Sequence, residues 1–328
     1  MKYYNYIKKL LLVISPILLY SCSEKDYEIP EGNTSLHNDC IKRSIGPNII
    51  GNNIEFVYAM ALGPEQGKIE LAQVEASIAG SENTYLENRS FHTNLSGEDV
   101  PIEIGKPSVN DGNTTYVEFT KDTCAASLRY YYYIPEEARG KEVSFKFSAK
   151  ASTGEEVNYK LGPYKISKLD MKLDIELTDG NNCYFSVADM KSYSETEAIQ
   201  NPGKIDLIYL YRPLSGVNFN HVLISPSNSD YRQDLNFPSE LTNKSALWKV
   251  YGVRDKHLAR LQYGVYVDDI DFEKMGFANA PDYAIDLKAE YGVWIETADK
   301  KYRAYIYINK VDETNKTMTV SIKRYTMN

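Results

Sequence analysis

Residues 128–134 read Leu-Arg-Tyr-Tyr-Tyr-Tyr-Ile, and no other run in the chain restricts the fold as strongly. Side chains of an extended chain point alternately to opposite faces, so Leu128, Tyr130, Tyr132 and Ile134 share one face. Arg129, Tyr131 and Tyr133 share the other. Tyrosine favours strands and carries a polar tip, and the chain holds 28 tyrosines in 328 residues. A β-rich fold with half-exposed aromatic faces is therefore expected.

Short extended runs recur through the first half, at Ile54 to Met60, Leu71 to Ile78, Val100 to Ile104 and Tyr116 to Thr120. Turn residues separate them, among them Gly63-Pro64, Asn94 to Gly97 and Asn110 to Asn113, and strands so punctuated suggest an all-β sandwich. Glu142 to Ala151 and Val157 to Ile166 then form a hairpin around Ser152-Thr153-Gly154. The pattern changes near Ser167 to Asp170. Met171 to Leu177 and Cys183 to Val187 read as strands, and Ser194 with Glu197 has the spacing of a capping box, opening a short helix that Asn201-Pro202-Gly203 ends. Ile205 to Tyr211 is almost unbroken apolar sequence. A strand, a helix and a buried strand in that order predict a parallel crossover. Ser239 to Leu261 reads as mostly helical. Tyr291 to Thr297, Tyr302 to Asn309 and Thr317 to Arg324 close the chain as an antiparallel meander. The second half is thus expected to be α+β with a mixed sheet.

The first 22 residues have the form of a processing signal. Lys2, Lys8 and Lys9 precede an apolar run from Leu10 to Tyr20, too short to span a hydrocarbon core of ~30 Å. Leu19-Tyr20-Ser21-Cys22 matches a relaxed bacterial lipobox, so Cys22 is the expected lipid attachment site, and several acyl chains anchor a protein where one is marginal. Residues 22–37 are polar and acidic at their start and read as a flexible tether. The expected organisation is a signal peptide over 1–21, the tether, a first domain over 38–168 and a second over 169–328. Formal charge is −8, and −11 once the three signal lysines are removed. Such acidity argues against nucleic acid as a partner.

Cys40 and Cys124 form an even pair that can bridge the first half, since exported proteins reach compartments where disulfides persist. Buried free thiols are the alternative, and Cys183 reads as a small core hydrophobe. There is no nucleophile elbow, His-Glu-x-x-His, Cys-x-x-Cys, phosphate loop or dinucleotide fingerprint. No catalytic residue, metal or cofactor is therefore assigned. His221 reads as a strand residue beside the core, and His257, flanked by Arg254, Lys256 and Arg260, as part of a solvated basic helix face. Asp268, Asp269, Asp271 and Glu273 lack the glycine and final glutamate of a calcium loop, and Asp271 is better placed as a helix N-cap for Phe272 to Met275. The aromatics are left as ligand-stacking candidates: Trp248, Trp294, Tyr305 and Tyr307, with Tyr131 and Tyr133. Strand alternation puts Tyr305 and Tyr307 on the polar face of their strand.

The arrangement of Tyr130 to Pro135, Ala138 to Lys141, Val143 to Phe145 and Thr153-Gly154 resembles the end of immunoglobulin-like modules in Bacteroidetes surface proteins. Asp39 to Asn48, Gln73 to Gly80, Lys204 to Tyr211 and Leu223 to Pro226 resemble an uncharacterised family of Bacteroides lipoproteins, a domain of unknown function. That resemblance runs over nearly the whole mature chain. It implies an immunoglobulin-like first module and a lipoprotein of the outer membrane or cell surface in a gut anaerobe, with a role in adhesion or ligand binding. Three classes of function follow. The first is a lipid-anchored, non-catalytic surface protein for a glycan, peptide or partner protein. The second is a fimbrillin-like structural subunit whose first strand is released by cleavage after Arg43. The third is a hydrolase, which requires histidine or carboxylate side chains converging in one pocket.

Overall fold

The computed structural model describes residues 34–214, 217–232 and 235–327. The signal segment, Cys22 and most of the expected tether lie outside the described residues. The tether's last two residues do not behave as one: Leu36 is buried in the core and His37 opens the first strand.

In chain order the first half contains β1 (His37–Lys42), β2 (Asn53–Ala61), β3 (Ile69–Ala76), β4 (Tyr85–Leu86), β5 (Arg89–Thr93) and β6 (Asp99–Glu103). It continues with β7 (Val109–Asp111), β8 (Thr114–Glu118), β9 (Ala125–Tyr133), β10 (Glu142–Ala151) and β11 (Glu156–Lys165). Two sheets, β1-β2-β9-β4 and β11-β10-β3-β8-β7, enclose one core, and β5-β6 is a separate hairpin. The alternation in the tyrosine run sets the register. Leu128, Tyr130 and Tyr132 face inward, paired with Tyr58, Phe56 and Ile54 on β2. Phe56 packs on Phe145 and Phe147 of β10 at ring distances of 4.7 and 5.3 Å. Their hydroxyls keep buried tyrosines compatible with such a core: Tyr132 donates to the Ile78 carbonyl at 3.1 Å, and Tyr58 accepts from Asn38 at 2.9 Å.

Cys40 and Cys124 are free thiols here, and the register shows why. Cys40 pairs with Tyr58, which pairs with Leu128, and Cys124 precedes Leu128 by four residues. Two strand spacings across and four rises along place the two Cα atoms about 16 Å apart. A disulfide needs roughly 4.4–6.8 Å.

The second half is a second sandwich. Its strands are β12 (Leu169–Thr178), β13 (Tyr184–Ser186), β14 (Lys191–Tyr193), β15 (Leu207–Leu214) and β16 (Val217–Ile224). After them come β17 (Ala246–Val250), β18 (Tyr283–Leu287), β19 (Gly292–Glu296), β20 (Tyr302–Asp312) and β21 (Thr317–Thr326). Short helices lie between: α1 (Glu195–Gln200), α2 (Lys256–Ala259) and α3 (Asp269–Lys274). The sheets β12-β21-β20-β19-β17 and β14-β13-β15-β16-β18 share a core that includes Leu177, Val320, Ile322, Ile208 and Val222.

The β-rich character and the closing meander are as expected, while two finer readings change. The predicted parallel crossover is absent, because β13 and β15 pair antiparallel, so the expected mixed sheet is an antiparallel one. Most of Ser239 to Leu261 is not helical: it holds β17, which extends the sheet beside β19, and only the four residues of α2. Ser194 and Glu197 do form the capping box of α1. At α3 the cap is Asp268, whose side chain accepts from the Ile270 and Asp271 amides, and Asp271 takes the third helical position.

A third core covers the outer face of the β20 sheet and joins the halves. Leu258, Val267 and Phe272 lie against Trp294, Tyr305 and Tyr307, together with Ile49 from the first half. Inside this layer Lys323 Nζ donates to Asp255 Oδ2 at 2.6 Å and to the Val267 carbonyl at 2.8 Å, with both side chains fully buried. Asp255 also accepts from the Leu258 and Val267 amides. Charge removed from water needs such pairing and saturation of its remaining hydrogen-bonding capacity. Along the seam Arg139 donates to the Lys168 carbonyl at 3.0 Å and to Asp170 at 2.7 Å, and the Lys168 amide donates to Asp269 at 2.8 Å. Gly46, at φ +94°, lies flat on Tyr266, where a Cβ would sit 2.6 Å from the ring.

Candidate functional site

The outward positions of the first sheet change character along its strands. At one end Tyr85, Tyr131 and Glu55 stand side by side on β4, β9 and β2. Tyr85 and Tyr131 stack at 4.8 Å with 21° between their planes, Tyr85 is exposed, and Tyr131 and Tyr133 are half-buried. Burial first, and then Tyr131 and Glu87, push the Tyr85 phenol above its usual range. Glu55 is held by Arg43 at 3.2 Å.

Toward the other end the outward residues become small. Ala59 and Ala61 on β2 pair with Ser127 and Ala125 on β9, and Asp39 and His37 on β1 lie beside the two alanines. The β5-β6 hairpin leans over this end. Ser90 Oγ accepts the Ser127 amide at 3.0 Å, the Arg129 guanidinium sits 4.0 Å from the centre of the Phe91 ring, and Asp99 pairs with Arg129. A guanidinium over an aromatic face is an attractive contact that fixes both groups. Between hairpin and β1 a groove of about 410 Å³ remains open, floored by the alanines and walled by Phe91, His92 and His37. Its size falls in the range of small-ligand sites, and its apolar floor with a few polar groups at the rim matches their usual composition.

The sequence-derived stacking candidates separate sharply. Tyr305 and Tyr307 are buried at 0% and 3% exposure, so the part of the strand face they occupy is covered and not open to solvent. Trp294 is also buried, lying 5.0 Å from Phe272 and 4.9 Å from Tyr305, and Trp248 is half-buried against the same layer. All four belong to the third core; Trp294, Tyr305 and Tyr307 are closed off by it, while Trp248 keeps part of its surface exposed. Tyr131 and Tyr133 do face outward. Cys22 lies outside the described residues. The groove was missed because its hairpin strands carry no apolar alternation; the legible signal was the row of small outward residues in strands otherwise rich in large ones.

His221 is the core-side strand residue expected, buried with its Nδ1 2.8 Å from the Tyr209 hydroxyl. His257 differs from expectation. It is half-buried against Tyr266, and burial first and Lys323 second hold its imidazole down at about 4, so it is neutral and not part of a cationic patch. Among the described residues, no three His, Cys, Asp or Glu side chains are grouped to hold a metal ion.

Residues 33–166 match the model of a domain of unknown function, DUF4466, and residues 167–327 match a second, DUF8576. No curated protein matches the chain. Among solved structures, a DUF4466 family protein from Parabacteroides merdae shares 47% identity, with 90% of this chain and 100% of that one covered and a TM-score of 0.84. BcpA, the major pilin subunit of Bacillus cereus, shares 9% identity over 88% of this chain and 66% of its own, at a TM-score of 0.28. MyfA, the major subunit of Myf fimbriae from Yersinia enterocolitica, shares 9% over 40% and 98%, at 0.23. Neither of these last two supports an assignment, whereas identity and fold together place the chain in the DUF4466 family.

Proposed function

We propose that this protein is a lipid-anchored binding protein displayed at the cell surface, and that the outer face of its first sheet is the ligand site. The observation that carries this reading is the open, alanine-floored groove on a sheet face that also presents, at its other end, the stacked Tyr85–Tyr131 pair. A glycan is the ligand class best suited to that face. The tyrosine rings offer a flat platform for the apolar side of a sugar, while Glu55, Asp39 and the histidines at the rim supply hydrogen-bonding groups. The lipid anchor rests on the lipobox around Cys22, and surface display on the acidic residues that follow it.

The test is a glycan and peptide array probed with the soluble chain from Glu24 to Asn328, beside Tyr131→Ala and Ala59→Trp. A bound glycan lost by at least tenfold in both variants supports the assignment. Equal binding by all three proteins sinks it.

The structural-subunit reading has one observation in its favour. Among the described residues β1 is an edge strand paired only with β2, and Arg43 follows it immediately with its side chain 43% exposed. Mass spectrometry of the N-terminus from intact cells separates the two readings. A chain beginning at acylated Cys22 retires the subunit reading, and one beginning at Ser44 establishes it.

A further inference from the structure

The second sandwich contains a polar cavity of about 210 Å³ between the start of β15 and the β19-β20 turn. At its wall sits Asp206, only 5% exposed. One carboxylate oxygen accepts the Val187 amide at 2.8 Å; among the described residues the other has no hydrogen-bond partner and opens to the cavity. We propose that this cavity is a binding site for a primary ammonium headgroup, with Asp206 as its counter-ion.

Three observations carry the assignment. The side-chain donors of the wall are already engaged: Asn243 Nδ2 is spent on the carbonyls of Gly203 and Ile205, and Thr297 Oγ1 on Asp299. The lysines at the rim are paired as well, Lys204 with Asp189 at 3.0 Å and Lys301 with Asp299 at 3.2 Å. What remains is a carboxylate oxygen that opens to the cavity from a side chain only 5% exposed and has no protein donor among the described residues, an acceptor that a donating ligand completes. The volume lies below the range for drug-sized ligands, which limits the occupant to a headgroup and a few carbons.

The charged groups around Asp206 are Asp189 and Lys204 on one side and Asp299 and Lys301 on the other, with Lys191 beside Asp189. Arg324 lies behind, donating to the Ala188 carbonyl. Burial pushes the Asp206 carboxyl up to about 7; the Val187 amide opposes the shift, and Asp299 and Asp189 add to it. Between pH 6 and pH 8 the ionised fraction rises from about one-tenth to about nine-tenths, so affinity for an ammonium group rises about tenfold. The cavity shares no lining residue with the groove of the first sheet, so either site can fail without the other.

Calorimetric titration of the purified protein with propylammonium chloride at both pH values reads it directly. Nα-acetyl-lysine methylamide in a parallel arm distinguishes a free amine from a peptide lysine as the source, and binding in either arm supports the site. The expected result is the tenfold gain at pH 8 and its loss in Asp206→Asn, which keeps an oxygen for the Val187 amide. Should that variant fold poorly, a carbon-13 titration of the wild-type Asp206 carboxyl replaces it, with saturating propylammonium lowering the midpoint. No binding in either arm at tens of millimolar and pH 8, equal binding of tetramethylammonium, or an unmoved midpoint overturns the proposal.

Discussion

Lys323 is an interior charge whose stability depends on one partner. With Asp255 saturated by two amides and this ammonium, Lys323→Met leaves a buried carboxylate uncompensated. We expect a loss of about 3–5 kcal/mol in urea unfolding. Beside it His257 makes a pH-dependent contribution. Its folded value of about 4 lies below the unfolded value of about 6.5, so the neutral ring is what the fold accepts. The stability tied to it is complete above about pH 6.5 and is lost as pH falls toward 4. His257→Gln should therefore lose less melting temperature than the wild type between pH 7 and pH 4.5. Residue-level reading succeeded where one side of a strand faces water, as for Tyr130 and Tyr131. It failed for Tyr305 and Tyr307, since alternation shows that two faces differ but not that a loop and two helices will cover the second.

At the level of elements, β20 is buried on both faces. Ala304, Ile306 and Ile308 enter the sandwich core, while Tyr305 and Tyr307 enter the third layer. Gly292 on the neighbouring β19 makes room for this, since a Cβ there would meet the Tyr305 hydroxyl at 2.2 Å. Gly292→Ala should cost about 1–3 kcal/mol by overpacking, measured by thermal unfolding. Tyr305→Phe in the same background should recover part of it. The apolar run of β15 was misread for a related reason. Leu207, Ile208, Tyr209 and Leu210 are all buried, which sequence reasoning linked to a parallel sheet, yet Phe237 and Tyr231 of the following loop lie against Tyr184 and Tyr283 and help to cover an antiparallel one. Local signals such as the α1 capping box were legible because all their partners lie within one turn. The strand β17 was not, because its identity depends on pairing with β19 across more than forty residues.

At the scale of the molecule, the two sandwiches are joined by a packed seam. Ile49 from the first half is fully buried in the third core, and Arg139, Lys168 and Asp269 tie the backbone across the junction. The halves are expected to unfold together in calorimetry. Ile49→Asp, which sets a charge in that core, should resolve two transitions, with the one belonging to the second half lowered more. The separation of the thiols also bears on biogenesis. Cys40 and Cys183 are buried, and burial first among the causes pushes both thiols up, Cys183 to about 11, which suppresses the reactive thiolate. Among the described residues no disulfide holds either sandwich together, so a change in the redox poise of the surroundings has no cross-link there to break.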